Sequence, residues 1–352
     1  MRGEGADTLA RRSARSVARV DPGNGACSVL DVVSSSDGEG LAARLSNKQI
    51  KLYACDQSGL REVSGLVGHT DRVTGMAIVE EGDGVGVCSC SLDGTVRFWD
   101  PRSRREVNRF GGAMVKMEGL TCLAVKNSII AAGGNGIIHF WDMRTQQKLA
   151  DFPETHEMEV TKVAFHPSGA PKFFSSSSDG HLCVFDFSNG LDEDDGFEGA
   201  QNLSPIEDFG FYGQGGLSIW CKLSSGLALW EWAKFLDIES DEGTGPMFNS
   251  MDVRPSMNEA CAELKGQVDY VLGCHFNQQS GEFLTIGGTD GGAMVGFPTN
   301  PTPRQRDRIF APPVLLLEGA HNDVVRSLTL FNSGFRDFGV SGGDDGRLAV
   351  WG

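Results

Sequence analysis

Three histidines each run ahead of a serine and an aspartate: His69 with Ser89 and Asp93, His321 with Ser341 and Asp345, and His156 with Ser175 and Asp179. Those residue types are the ones acyl transfer uses. A hydroxyl attacks, an imidazole takes its proton, and a carboxylate orients the imidazole. The spacing points elsewhere. Trp99 and Trp351 follow their histidines by the same 30 positions (99 − 69 and 351 − 321). Ser89 and Ser341 lie ten before the tryptophans, and Asp93 and Asp345 six before. A catalytic centre needs one such set, with a groove and an oxyanion donor. A set kept at constant spacing in two distant segments is a piece of repeated architecture, so no catalytic residues are assigned.

The other candidates for chemistry are weaker. The segments "GGNG" (133–136) and "GGTDGG" (287–292) lead into strand-like sequence. A phosphate-cradling loop needs a following helix, whose N-terminal amides bind the anion. His156, His166 and His181 fall in separate loops, and no CxxC occurs among the nine cysteines, so no metal site and no cofactor are expected. The cysteines read as buried free thiols of a reducing compartment, cytosol or nucleus. The formal charge of −16 repels phosphate backbones, which makes nucleic acid an unlikely partner. There is no long apolar run to span a membrane. The arginine-rich start lacks the apolar region of a secretory signal.

The elements that must position these residues come from the repeat. "CSLDGTVRFWD" (90–100) returns as "AAGGNGIIHFWDMR" (131–144), "SSSSDGHLCVFDF" (175–187) and "SGGDDGRLAVWG" (341–352), with fainter copies at 45–56, 222–232 and 287–297. Each is a tight turn followed by a short alternating strand. The strands end at Tyr53, Trp99, Trp141, Phe185, Trp230, Gly296 and Trp351, spaced by subtraction at 46, 42, 44, 45, 66 and 55. Four of these intervals match the period of about 40–45 residues of a four-stranded propeller blade.

On these residues the chain resembles the WD-repeat family. The resemblance implies an all-β, seven-bladed propeller over 15–352, after a flexible tail over 1–14. Insertions are expected at about 191–208, 233–267 and 298–313. It implies that Asp, His, Ser and Trp form a hydrogen-bonded tetrad inside blades two and seven. In blade four the set is truncated, because Phe185 has no N–H. The third copy, with Ala131 and Asn135, should rest on packing of Ile137, Phe140 and Trp141. The last copy stops at a third strand. "SVARV" (16–20) is expected to complete that blade, and "ACSVLDVVSS" (26–35) to open the first. Along "TVRFWD", Val96 and Phe98 face one neighbour and Arg97 and Trp99 the other.

Such a ring implies a non-enzymatic, monomeric platform for protein partners. "WDPR" (99–102) and "WDMR" (141–144) resemble the box of WD-repeat substrate receptors of cullin-four RING ubiquitin ligases. This makes Asp100, Arg102, Asp142 and Arg144 candidates for docking on the ligase adaptor. The alternative is that the arginines only solvate a turn or pair with the neighbouring acids. Over its whole length the chain is similar to the WD repeat-containing protein 89 group, with "ETHEMEVTKVAFHPS" (154–168) and "DYVLGCHFNQQSGEFLTIGGTDGG" (269–292) carrying the likeness.

Overall fold

A computed structural model describes residues 9–20, 27–56, 59–81, 84–112, 119–231, 246–262, 267–302, 308–331 and 339–352. Five four-stranded antiparallel sheets and one eight-stranded sheet make up the molecule. Blades one to five occupy 29–66, 73–111, 122–152, 160–202 and 206–250; blades six and seven, 270–318 and 325–351, share the larger sheet. In each blade the chain runs from the inner strand outward.

Alternation along the strands sends apolar side chains to both faces, and each face packs on a neighbour. Seven core clusters result, one per interface. Leu52 and Ile50 meet Trp99 and Val87 between blades one and two. Val96 and Cys90 meet Ile130 and Trp141 between two and three. Phe140 and Ile138 meet Phe173 and Phe185 between three and four. Clusters of the same kind join four to five, five to six and six to seven. The seventh joins Val340, Leu348 and Val350 of blade seven to Val29, Leu41 and Tyr53 of blade one. The ring is therefore closed. Val96 and Phe98 do face one neighbour and Trp99 the other.

Closure uses the N-terminal strand, Ala10–Arg19. Its second half pairs antiparallel with Arg347–Trp351 as the outer strand of blade seven. Its first half pairs parallel with Leu315–Glu318, the outer strand of blade six. The strand begins at Ala10, so residues 10–14 belong to the ring and not to a tail.

The expected insertion at 191–208 is also corrected. It holds a one-turn helix, Glu193–Gly196, then the outer strand of blade four, Phe197–Asn202, and the start of the next inner strand at Ile206. The acids make this stretch look like a solvated loop, yet an outer strand needs few apolar residues. Of 233–267, the described part supplies the outer strand Phe248–Ser250 and a helix, Arg254–Ala260, whose Met257 enters the interface of blades five and six; the rest lies outside the described residues. The described ends of 298–313 are joined by a bridge from Thr299 to Phe310.

Candidate functional site

Blade two shows how the sequence builds the tetrad. His69 sits in the link into the inner strand Val73–Glu81, Ser89 on the second strand Gly84–Ser91, and Trp99 near the end of the third, Thr95–Asp100. Asp93 sits in the turn between the second and third strands. Gly94 takes φ +75° there, a conformation glycine adopts without strain. His69 Nδ1 lies 3.0 Å from Asp93 Oδ2, and Nε2 lies 2.8 Å from Ser89 Oγ. Trp99 Nε1 donates to Ser89 Oγ at 2.8 Å. The carboxylate fixes the ring proton on Nδ1, so Nε2 accepts from the serine.

Blade seven repeats this: His321 Nδ1 is 3.1 Å from Asp345 Oδ1, Nε2 is 2.7 Å from Ser341 Oγ, and Trp351 Nε1 donates to Ser341 Oγ at 2.8 Å. In blade four His156 meets Asp179 at 3.1 Å and Ser175 at 2.8 Å, and Phe185 fills the tryptophan position without an N–H. Burial pushes all three imidazoles below their ordinary value, against the opposing pull of the carboxylates. Burial alone would raise Asp93. Hydrogen bonds from Thr95, the Thr70 amide and His69 outweigh it and hold the group at about 2.

The arrangement of His, Ser and Asp is that of a triad, but the serine is sealed. Ser89, Ser175 and Ser341 are all 0 % exposed, and two of the three hydroxyls also accept an indole N–H. A nucleophile must reach a carbonyl carbon. These hydroxyls reach only the blade interior, where they satisfy polar groups that the aromatic packing buries.

Blade three keeps no tetrad. Ile138, not Ile137, enters the core with Phe140, because alternation along the strand puts 138 and 140 on the same face. Rings do the rest: Phe140 lies 4.8 Å from Phe152 and 5.2 Å from Phe173.

The acids of the two WDxR segments have a local task. Asp100 Oδ1 accepts from the Arg102 amide at 2.9 Å, and Asp142 Oδ1 from the Arg144 and Thr145 amides at 2.7 and 3.1 Å. Each carboxylate closes the turn to the outer strand, the usual work of an Asx turn. Asp186 does the same for Ser188 at 2.6 Å. Arg102 and Arg144 are exposed on turns that leave adjacent blades from one face of the ring.

Two sets of residues lie outside these expectations. Thr74 Oγ1 donates to Leu120 O, and Thr121 Oγ1 to Val160 O, both at 2.6 Å, tying blade two to three and three to four. Their signal is a threonine after the first apolar residue of the inner segment. The second set is Arg97 and His139, polar side chains only 4 % and 6 % exposed, each beside its blade's tryptophan.

Four-stranded blades in a closed ring, with His–Ser–Asp–Trp networks inside individual blades, define the WD-repeat class of β-propellers, and this chain belongs to that family. The family pattern described as WD domain, G-beta repeat, matches residues 60–100 and 147–186. Each match runs from the outer strand of one blade to the third strand of the next. With that offset the last repeat ends on the third strand of blade seven, and the N-terminal strand supplies that blade's outer strand. The chain is 30 % identical over 338 residues to the WD repeat-containing protein GTS1 of Arabidopsis thaliana, covering 92 % of this chain and 80 % of that one. It is 25 % identical over 334 residues to the WD repeat-containing protein 89 homolog of Dictyostelium discoideum, covering 94 % and 84 %. A shorter match, 28 % over 105 residues and 28 % of each chain, is to nucleoporin Nup43 of Homo sapiens.

Proposed function

We propose that this ring is a platform for protein partners and carries out no chemistry of its own. The observation that carries this reading is the sealing of the three serines. The groups suited to catalysis are spent inside the blades, which leaves the loops and turns of two faces for recognition. Its place is the cytosol or nucleus, where the nine free cysteines stay reduced.

The finer reading is docking on the adaptor of a cullin-four RING ligase through Arg102 and Arg144. The arginines support it, since a forked guanidinium on an ordered turn suits a carboxylate or carbonyls of a partner. Asp100 and Asp142 hold the turns that present the arginines. Affinity capture with the full chain, analysed by mass spectrometry, tests the platform. Recovery of no partner above a scrambled-loop control counts against it. Capture of the ligase adaptor, lost in the Arg102→Ala plus Arg144→Ala variant, is the outcome expected for the finer reading. Adaptor capture unchanged in that variant removes it.

A further inference from the structure

Blade two seats a guanidinium beside its own tetrad. Arg97 lies four residues after Asp93 and two before Trp99 (97 − 93 and 99 − 97). Its Nη1 donates to Glu106 Oε2 at 2.8 Å, its Nη2 lies 3.5 Å from Asp93 Oδ2, and its Nε donates to Thr95 Oγ1 at 3.3 Å. The guanidinium carbon stands 5.9 Å from the Trp99 ring centroid. Gly68 leaves the room for it, since a Cβ there would stand 2.6 Å from Arg97 Nη1. Blade three fills the same register position with His139. Its Nδ1 is 2.6 Å from Asp151 Oδ1, and its ring is 5.6 Å from that of Trp141. Both blades wedge a nitrogenous side chain between the strand-end aromatic and an outer-strand carboxylate.

Blade four has Cys183 at this position, four after Asp179 and two before Phe185 (183 − 179 and 185 − 183). The thiol reaches only the Thr155 carbonyl, at 3.8 Å. Beside this position a cavity of about 450 Å³ opens, lined by His156, Asp179, Cys183, Phe185, Glu193 and Phe197, with Cys183 and Phe185 at its closed end, 3 % and 1 % exposed. The rings of Phe185 and Phe197 meet edge to face at 5.7 Å and form an aromatic wall, and Phe197 is exposed. Glu193 is held in place by the Glu154 amide at 3.0 Å and the Thr155 hydroxyl at 2.6 Å. Glu154, Thr155, Glu157, Asp194, Ala200 and His181 line the rest, and His181 Nδ1 lies 3.2 Å from Asp179 Oδ1. The Cys183 thiol registers the environment: burial first, then the Asp179 and Glu193 carboxylates, push it up to about 12.

We propose that this slot takes an arginine side chain from a partner protein, set against Phe185 and Phe197 and paired with Asp179 and Glu193, as Arg97 is set against Trp99 and paired with Asp93 and Glu106. The inference deepens the platform reading by giving one partner's chemistry. An aromatic face and carboxylates together favour a planar cation over a neutral amide of the same shape.

The test is binding of acetyl-Gly-Gly-Arg-Gly-Gly-amide to the full chain, followed by NMR, against the peptide with citrulline in place of arginine. The arginine peptide should bind about tenfold or more tighter, the scale of a charged hydrogen-bonded pair. Cys183→Arg restores the residue of blade two and should abolish binding. Glu193→Gln keeps the shape and should weaken it with the melting temperature unchanged. Equal binding of the two peptides, or undiminished arginine binding in either folded variant, overturns the proposal. Should Cys183→Arg fail to fold, Glu193→Gln decides alone. Failure here leaves the affinity-capture result standing, so the slot and the platform are separable.

Discussion

At the scale of residues, the tetrads differ in how many buried groups hang on one hydroxyl. Ser89 and Ser341 each serve an imidazole and an indole, while Ser175 serves an imidazole alone. Removing a partner from a buried polar group costs about 1–3 kcal/mol per orphan. Ser89→Ala and Ser341→Ala each orphan two groups, and Ser175→Ala one. Urea unfolding of the three variants should therefore show a loss for the first two about twice that for the third. Equal losses would mean that the indole N–H contributes nothing. This hierarchy was legible in the sequence, because three residue types at fixed intervals can be matched between repeats. The task of Asp100 and Asp142 was not. An acid that closes its own turn and an acid that meets a partner have the same neighbours in sequence, and only the amide distances separate them. The slot of Arg97 was hidden for a different reason. Alternation puts the arginine on the face of Trp99, but the glycine and glutamate that enclose its guanidinium converge only in the fold.

At the scale of elements, the N-terminal strand joins two blades and not one. The half that pairs with Arg347–Trp351 could be read from "SVARV", where apolar and polar residues alternate. The half that pairs with Leu315–Glu318 could not, since "ARRSA" contributes mainly main-chain hydrogen bonds, which leave no trace in side-chain pattern. Acidic 191–208 was misread for the same reason: the outer strand there pairs by backbone, with few apolar residues to announce it. Stepwise truncation separates the two halves of the closing strand. Removing residues 1–13 cuts the four register pairs to blade six and should cost on the order of 4 kcal/mol, at about 1 kcal/mol per backbone hydrogen bond. Removing 1–19 also bares the edge beside Trp351, which is 0 % exposed, and should cost clearly more. Thermal melts with hydrogen exchange of the 315–318 and 347–351 amides provide the readout. A chain without residues 1–19 that melts like the full chain would contradict closure by this strand.

At the scale of the whole molecule, seven interfaces join seven blades, and no blade is terminal. An open array of repeats unfolds from its ends, because end units have one neighbour and frayed units cost one interface. A closed ring has no such unit. Freeing any blade breaks two interfaces at once, and the remaining blades lose the constraint that held their radial packing. The ring should thus unfold in one transition despite its length. Of the six tryptophans, the five among the described residues report on it from different places: Trp99 in blade two, Trp141 in three, Trp220 and Trp230 in five, and Trp351 in seven. Their fluorescence and the far-ultraviolet dichroism should lose native signal at the same urea concentration. Phe140→Ala, between blades three and four, and Trp351→Ala, between six and seven, each delete a fully buried ring system. Each should cost about 3–5 kcal/mol. Although the two sites lie in different interfaces, each variant should shift the midpoint of every probe together. Early loss confined to the mutated side, with native signal kept elsewhere, would describe an arc of independent blades and not a ring.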